Sequence, residues 1–342
     1  MRIVHVLAGE HGNRCGVLDY TKNLVEALEG LANDSEYVLV KRWTLKETLR
    51  VASTHRGHVI HVQYPSLQMG KGPWWVLLGC LSRRTALTLH EFRIFSTARK
   101  LYCLPAALTA KQIIFSSAEE RRAFLSWYPF ASKACTVIPV GNNIPVHSVP
   151  QQSRARRMVY FGQIGENKGL ELVIEAVASL RAQGSKIPVA FIGAVVDPSS
   201  PVVGLVEENA IKYAIDLRLN LSSAEVSQEL AQASHAYLPF PDGITDKRGS
   251  AMACLKHGVA VLTTHSEQTP DWLRAATTHC AGPLEAAKHV MAPEFPAIDG
   301  EALSAGLAER EWPAIAKRHL GIYENLAPRR RSRQAVGVYR SE

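Results

Sequence analysis

The stretch FGQIGENKGLELVIEAVASLRAQG, Phe161 to Gly184, carries the reading of the fold. It continues an apolar run that starts at Met158, passes through a turn holding Gly162, Gly165 and Gly169, and enters a segment whose Leu170, Val173, Ile174 and Val177 recur at helical spacing. The pattern predicts a strand, a glycine turn and a helix. Lys168 stands in the turn just before the helix begins. Backbone N–H groups without partners and the helix dipole already favour an anion there, so a phosphate would meet three favourable contributions at once. A plain strand-to-helix connection that needs glycines for steric reasons and exposes a lysine is the alternative, and local spacing does not separate the two.

At 342 residues the chain has the length of two ordinary domains. Its 46% apolar and 20% charged residues place it with globular proteins and far from disordered ones. No segment approaches the roughly 20 uninterrupted apolar residues of a membrane helix. The run Ile3 to Ala8 is too short for a signal peptide and reads as a strand, so a cytoplasmic protein is expected. The six cysteines include no C-x-x-C pair and read as free thiols, mostly buried, with neither a disulfide framework nor a zinc site. The net charge of +8 points to an acidic partner: a nucleotide, a lipid headgroup or nucleic acid. Much of the excess lies in residues 327–342, with Arg329, Arg330, Arg331, Arg333 and Arg340. A solvated end accounts for that tail, and contact with an acidic membrane is its functional alternative.

The first strand leads into GEHGNRCGVLDYTKNL, with glycines at 9, 12 and 16, and then a helix with Leu24, Leu28 and Leu31 on one face. This is the first unit of a doubly wound sheet, and its loop lies at the carboxyl edge where such sheets bind ligands. The spacing is not the G-x-G-x-x-G dinucleotide fingerprint, which removes the main support for a dehydrogenase. Strands are expected at Tyr37–Val40, His58–Gln63 and Thr85–His90, the last delivering His90 and Glu91 at its end. A histidine there can act as a hydrogen-bond partner or an acid/base, or can simply cap the strand. The apolar run Trp74 to Leu81, flanked by Lys71, Arg83 and Arg84, reads either as a helix packed on the sheet or as a segment dipping into a bilayer interface.

A strand at Gln112–Phe115 ends in Ser116-Ser117-Ala118-Glu119-Glu120, a capping box, and a strand near Cys135–Ile138 precedes PVGNNIPVHSVPQQSRARR, whose three prolines make it the expected linker. The second half repeats the alternation. Strands are expected at Val189–Ile192, ending at Gly193, at Leu217–Leu221, at His235–Pro239 and at Val259–Thr264, with a second capping box at Ser222–Glu225. Between the last two strands, Asp242-Gly243 and Arg248-Gly249-Ser250 put a turn, a cation and small residues just before another helix. That is a second anion site of the same physical kind. Two such turns on one sheet suit a diphosphate better than a single phosphate.

Taken in order, Cys15-Gly16-Val17-Leu18-Asp19-Tyr20-Thr21, Thr88-Leu89-His90-Glu91, Phe161-Gly162-Gln163 with Lys168-Gly169, and Leu238-Pro239-Phe240 with Asp242-Gly243 resemble the retaining glycosyltransferases of the GT-B fold, family 4 group. Trp312, Ile315, Ala316 and Tyr323 resemble the terminal helix that crosses back to the first domain. The resemblance covers the chain to about Leu326. It implies two Rossmann-like doubly wound α/β domains facing a cleft: residues 1–146 on the acceptor side, 147–310 holding the nucleotide sugar, a return helix at 311–326 and a basic tail at 327–342. By resemblance Lys168 neutralises the donor diphosphate, the backbone of Gly16 approaches it, and His90 sits near the transferring sugar. Lys168, His90 and Arg248 are the expected catalytic residues. Gly162, Gln163, Gly193, Asp242, Gly243, Gly249 and Ser250 complete the donor side, and Asp19 and Glu91 face the acceptor.

The implied activity is that of a retaining hexosyltransferase in polysaccharide biosynthesis. It would move sugar from a UDP-sugar first, a GDP-sugar second, to a saccharide or lipid-linked saccharide acceptor, without metal or other cofactor and without nucleic acid, with a peripheral contact to an acidic membrane as a further partner. Two departures stand out. The family has an arginine where this chain has Gln163, and a pair of glutamates where it has Thr245 and Ala253. Arg248 could restore the missing charge, and Asp242 or Asp246 could hold sugar hydroxyls. The lost glutamates motivate the competing expectation, a catalytically silent GT-B protein that binds a nucleotide sugar or a partner enzyme. A nucleotide-sugar epimerase or a phosphorylase fits the first loop and the K-G turn less well.

Overall fold

The computed structural model describes residues 1–10, 15–66, 68–69, 72–146, 155–195 and 197–327. Gly12, Lys71 and the arginines of the C-terminal tail lie outside them. The chain forms two units, the first made of Met1–Phe115, Glu120–Thr136 and the residues from Ala316 on, the second of Ser116–Glu119 and Val137–Ile315. The linker boundary expected between 146 and 147 adjoins residues 147–154, which are outside the described set.

In the first unit the elements are β1 (Arg2–Ala8), α1 (Gly16–Glu29), β2 (Asp34–Val40), α2 (Leu45–Thr54), β3 (Val59–Tyr64), α3 (Leu78–Leu81), β4 (Thr85–Leu89), α4 (Thr97–Tyr102), α5 (Leu104–Thr109), β5 (Gln112–Phe115), α6 (Ala118–Trp127) and β6 (Cys135–Val137). The strands lie in the order β2-β1-β3-β4-β5-β6, with parallel pairing from β2 through β5. Every residue of β3 is buried, as expected of a central parallel strand covered on both faces. Because the crossovers from β3 to β6 all move in one direction, the right-handed rule places α3 to α6 on one face of the sheet. The run from Trp74 forms a 3₁₀ turn and then α3, with Trp75, Val76 and Leu78 buried and the Trp75 ring stacked 4.0 Å from that of Tyr64. It is a segment packed on the sheet, the first of its two expected readings.

The second unit runs β7 (Met158–Phe161), α7 (Leu170–Ala182), β8 (Val189–Gly193), α8 (Pro201–Tyr213), β9 (Ile215–Leu219), α9 (Ser223–Gln232), β10 (His235–Leu238), α10 (Gly249–Lys256), β11 (Ala260–Thr263), α11 (Asp271–Ala276), β12 (Thr278–His279), α12 (Pro283–Met291), α13 (Gly300–Ala308) and the start of α14 (Trp312–Leu326). Its strand order, β12-β11-β10-β7-β8-β9, is the doubly wound Rossmann order, and the direction of winding reverses between β7 and β10. The helix expected after the opening stretch is α7, which buries Leu170, Val173, Ile174, Ala176, Val177 and Leu180. It stops where Gly184 takes a φ of 73°, a left-handed conformation that glycine reaches without a Cβ penalty. The capping box at Ser222 and Glu225 is formed. From Ala316, α14 belongs to the first unit and presents Ala316, His319, Ile322, Tyr323 and Leu326 to its interior at helical spacing.

The two loops that leave β7 and β8 lie in backbone contact. A Cβ on Gly193 would stand 1.9 Å from the Gly162 carbonyl oxygen. Gly193→Ala is therefore expected to cost roughly 2–4 kcal/mol of stability, read as a lower denaturation midpoint, because backbone rather than a flexible side chain must yield. An unchanged midpoint would show that this contact relaxes freely.

Candidate functional site

The second unit gathers its candidate residues at the carboxyl edge of the sheet, around the point where the winding reverses. Gly169 has a φ of 71°, and a Cβ there would lie 2.3 Å from the carbonyl oxygen of Pro239, the residue after β10. The turns after β7 and β10 thus touch, and the sequence-predicted groups Lys168-Gly169 and Phe240 to Ser250 become neighbours. Gly162 is confined by the Tyr160 hydroxyl, which donates to the Gln163 carbonyl at 3.0 Å and would meet a Gly162 Cβ at 2.8 Å. Gln163 is exposed and Lys168 half-buried. Lys168 makes no ion pair or hydrogen bond with the described residues.

Neither α7 nor α10 carries a side-chain cap: Gly169 precedes one and Arg248 the other. The first N–H groups of both helices therefore remain directed at the edge of the sheet, where they can hold an anion. The Arg248 guanidinium lies 4.8 Å over the Phe240 ring, which fixes the cation beside the turn. Asp242 is exposed, and Gly243, with a φ of 81°, is held against Ser266. Gly249 and Ser250 open α10.

Asp246 is engaged elsewhere. Its Oδ2 accepts from Arg310 at 3.0 Å, and Arg310 is itself 4.5 Å over the Trp272 ring and donates to the Gly306 carbonyl at 2.6 Å. Burial raises the Asp246 carboxyl above its ordinary value, with the Arg310 charge opposing that shift. The pair tethers the β10–α10 turn to α13, so of the two carboxylates considered for sugar hydroxyls only Asp242 stays exposed. Thr245 is buried, and Ala253 is fully buried within α10.

A cleft of about 310 Å³ opens beside the β7–α7 turn, with Gln163, Glu166 and Lys168 on one side and Asp197 and Ser200 on the other. The last two were not predicted. Asp197 accepts from the Ser199 hydroxyl and amide at 2.6 and 2.9 Å, which lowers its carboxyl below the usual value. Their signal in the sequence is the turn Asp-Pro-Ser-Ser-Pro ahead of α8, at the end of the strand beside β7.

In the first unit Gly16 opens α1 after Cys15, which gives no side-chain cap, and a Cβ on Gly16 would meet nothing within 4 Å. His90 follows β4 and is buried; its Nε2 donates to Gln63 Oε1 at 3.0 Å, and the Tyr20 ring meets it edge-on at 5.2 Å. The structure thus brings the start of α1 to His90. Asp19 and Glu91 are exposed at the same edge.

Behind His90 lies a buried polar run. Tyr20 Oη and His319 Nε2 are 2.9 Å apart, His319 Nδ1 and Tyr323 Oη 3.2 Å, Tyr323 Oη and His61 Nδ1 2.7 Å, and His61 Nε2 and Thr88 Oγ1 2.7 Å. One proton per link, passed in one direction, satisfies all four bonds with both imidazoles neutral. His5 sits next to His61 in the β1–β3 register, with ring centroids 5.0 Å apart, and its Nε2 has no hydrogen-bond partner. Burial lowers His5 to about 3 and holds His61 and His319 well below the ordinary histidine value.

No family model matches the chain, and no curated protein matches its sequence. Solved structures do match it. A glycosyltransferase from Rickettsia africae ESF-5 superposes with a TM-score of 0.71 at 12% identity, over 95% of this chain and 98% of that one. Anabaena Alr3699/HepE in complex with UDP gives 0.67 at 14% identity, over 95% and 100% of the two chains. The catalytic domain of starch synthase IV from Arabidopsis thaliana, bound to ADP and acarbose, gives 0.58 at 12%, over 95% and 99%. With the two six-stranded sheets and the C-terminal helix returning to the first unit, these likenesses define the fold as GT-B.

Proposed function

We propose that the chain is a retaining glycosyltransferase that moves a hexosyl group from a nucleotide diphosphate sugar, UDP-linked first and GDP-linked second, to a saccharide or lipid-linked saccharide. The observation that carries the reading is the meeting of two turns at the reversal point of the second sheet, one with Lys168 and one with Arg248, each opening an uncapped helix. A diphosphate suits two adjoining cationic turns better than any monoanion does. The UDP in the Anabaena structure and the ADP in the starch synthase structure support the same donor chemistry.

In the proposed reaction the bond between the anomeric carbon and the diphosphate oxygen breaks while the acceptor oxygen bonds to the same face. The acceptor's proton passes to the leaving phosphate. Such a step needs stabilisation of the charge that develops on the diphosphate more than it needs a strong base. Lys168, Arg248 and the first amides of α7 and α10 supply it. In the first unit Gly16 and His90 keep the roles that the resemblance implies. With Gln163 neutral, Arg248 is the second cation.

A second reading has its own observation. Ala253, where the family has a glutamate, is fully buried and Asp246 is paired with Arg310, so neither position offers a carboxylate to the donor. A silent protein would bind a nucleotide sugar and turn nothing over. Calorimetric titration with UDP-, GDP-, dTDP- and ADP-sugars, followed by a hydrolysis assay with and without acceptor extracts, separates the two. We expect micromolar binding of one nucleotide class and measurable turnover. Binding without turnover would favour the silent protein, and no binding to any member would defeat the donor-site assignment.

A further inference from the structure

The helical layer over one face of the first sheet presents an apolar surface to solvent. α3 packs on α5 and α5 on α4, and the Tyr128 hydroxyl, just after α6, donates to the Lys100 carbonyl of α4 at 2.6 Å. The elements therefore form one continuous surface. On it Leu101, Tyr102, Leu104, Leu108, Trp127 and Phe130 are exposed, Leu108 by 66% and Phe130 by 58%. Apolar surface concentrated in this way marks an interaction site.

The charge around it is mostly positive. Between Leu81 and Lys111 the chain has six basic residues, the exposed Arg83, Arg93 and Lys111 among them, and a single acidic one, Glu91. Lys100 Nζ lies 5.5 Å from the Trp127 ring centroid, and Arg99 Cζ lies 5.7 Å from that of Phe95. Cations thus border and underlie the apolar side chains. Leucines and aromatic rings that can sit at the acyl boundary, edged by cations that reach the headgroups, are the composition of a surface lying on an anionic bilayer. A second copy of the chain would bring the same positive charge against itself, and the basic residues 327–342 are repelled in the same way. No helix among the described residues is long and apolar enough to cross a membrane, so the contact would lie in the interface.

We propose that the face formed by α4, α5, the end of α6 and the residues after it docks the chain on an anionic membrane surface. The contact uses different residues from Trp75 and Val76, which pack inward, and does not depend on the proposed donor site. Sedimentation of the intact chain with vesicles of phosphatidylcholine alone, and of phosphatidylcholine mixed with phosphatidylglycerol, tests it. Partitioning should be at least about tenfold stronger on the anionic vesicles at low salt, and high salt should weaken it. Leu104→Asp with Leu108→Asp should reduce it by about tenfold or more while leaving the melting temperature unchanged. Arg93→Glu with Lys111→Glu, at exposed positions, should do the same if the leucine variant fails to fold. Lys168→Ala should bind vesicles normally.

Equal binding to both vesicle types, or to neither, overturns the proposal. So does full binding by both patch variants with loss on Arg329→Gln, Arg330→Gln, Arg331→Gln and Arg333→Gln together, which would place the contact in the tail. A concentration-dependent dimer that Leu104→Asp dissolves would assign the surface to a second copy instead.

Discussion

Lys168→Ala is expected to leave the melting temperature unchanged and to weaken the tightest nucleotide sugar of the titration panel by about 30- to 100-fold. The estimate corresponds to about 2–3 kcal/mol, the usual range for deleting a charge-assisted contact to a phosphate. The fold should not notice the change, since Lys168 is half-buried in a turn and makes no ion pair or hydrogen bond with the described residues. Neighbouring Gly169, not Lys168, is wedged against the Pro239 carbonyl and keeps the turns together. Arg248→Ala should cost less, about tenfold, because its guanidinium is already engaged over the Phe240 ring and the amides of α10 remain. It also removes the stacking on Phe240, so its melting temperature should fall slightly. Unchanged affinity in Lys168→Ala would remove the diphosphate from this turn. Unchanged affinity in Arg248→Ala would leave the neutral Gln163 uncompensated.

The alternation of strands, helices and glycine turns was legible because each element is short, strongly apolar and followed by its own breaker. The opening stretch shows this best: strand β7 and helix α7 stand where periodicity puts them. The expected strand at Leu217–Leu221 is instead Ile215–Leu219, at the edge of its sheet. The alternation of leucines with polar residues runs past the end of the strand, which Asn220 closes by adopting a φ of 56°. β12 is a two-residue pairing and leaves no periodic signal. At the site, Lys168 and Arg248 announce themselves because turns concentrate unusual residues. Asp246 announced itself equally and is committed to Arg310, a partner 64 residues away that no local pattern reveals. Gln63, whose Oε1 accepts from His90 Nε2, stands in an adjoining strand, and only the pairing register exposes it.

The buried histidines were the least legible and carry the largest predicted effect. His5 and His61 stand in apolar strand runs and His319 on the interior stripe of α14, and all three are fully buried. Their folded pKa values lie below the ordinary value of about 6.5, so on acidification the unfolded chain takes up protons that the folded chain refuses. Stability is whole above that value and falls as pH drops from about 6.5 toward the folded values. Each histidine contributes about 1.4 kcal/mol per pH unit in that window, so the three together approach 4 kcal/mol per unit. His235 and His265 of the second unit are both lowered to about 4 and act in the same direction, whereas the raised Asp246 opposes them only near the carboxylate range. Against a domain stability of about 5–15 kcal/mol, the first unit should unfold cooperatively between about pH 5 and 3. Urea midpoints measured by tryptophan fluorescence at pH 7.5, 6.0 and 5.0, values spaced to bracket the histidine window, read the slope directly. His5→Leu gives the sharper check. His5 Nε2 has no partner and its Nδ1 makes only a long 3.5 Å contact with Gln63 Nε2, so an apolar side chain of similar size should leave the midpoint at neutral pH equal or higher and make its acid loss shallower by about 1.4 kcal/mol per unit. A midpoint that stays flat down to pH 5 would mean that these imidazoles take up protons in place, and that the run from Tyr20 to Thr88 tolerates charge.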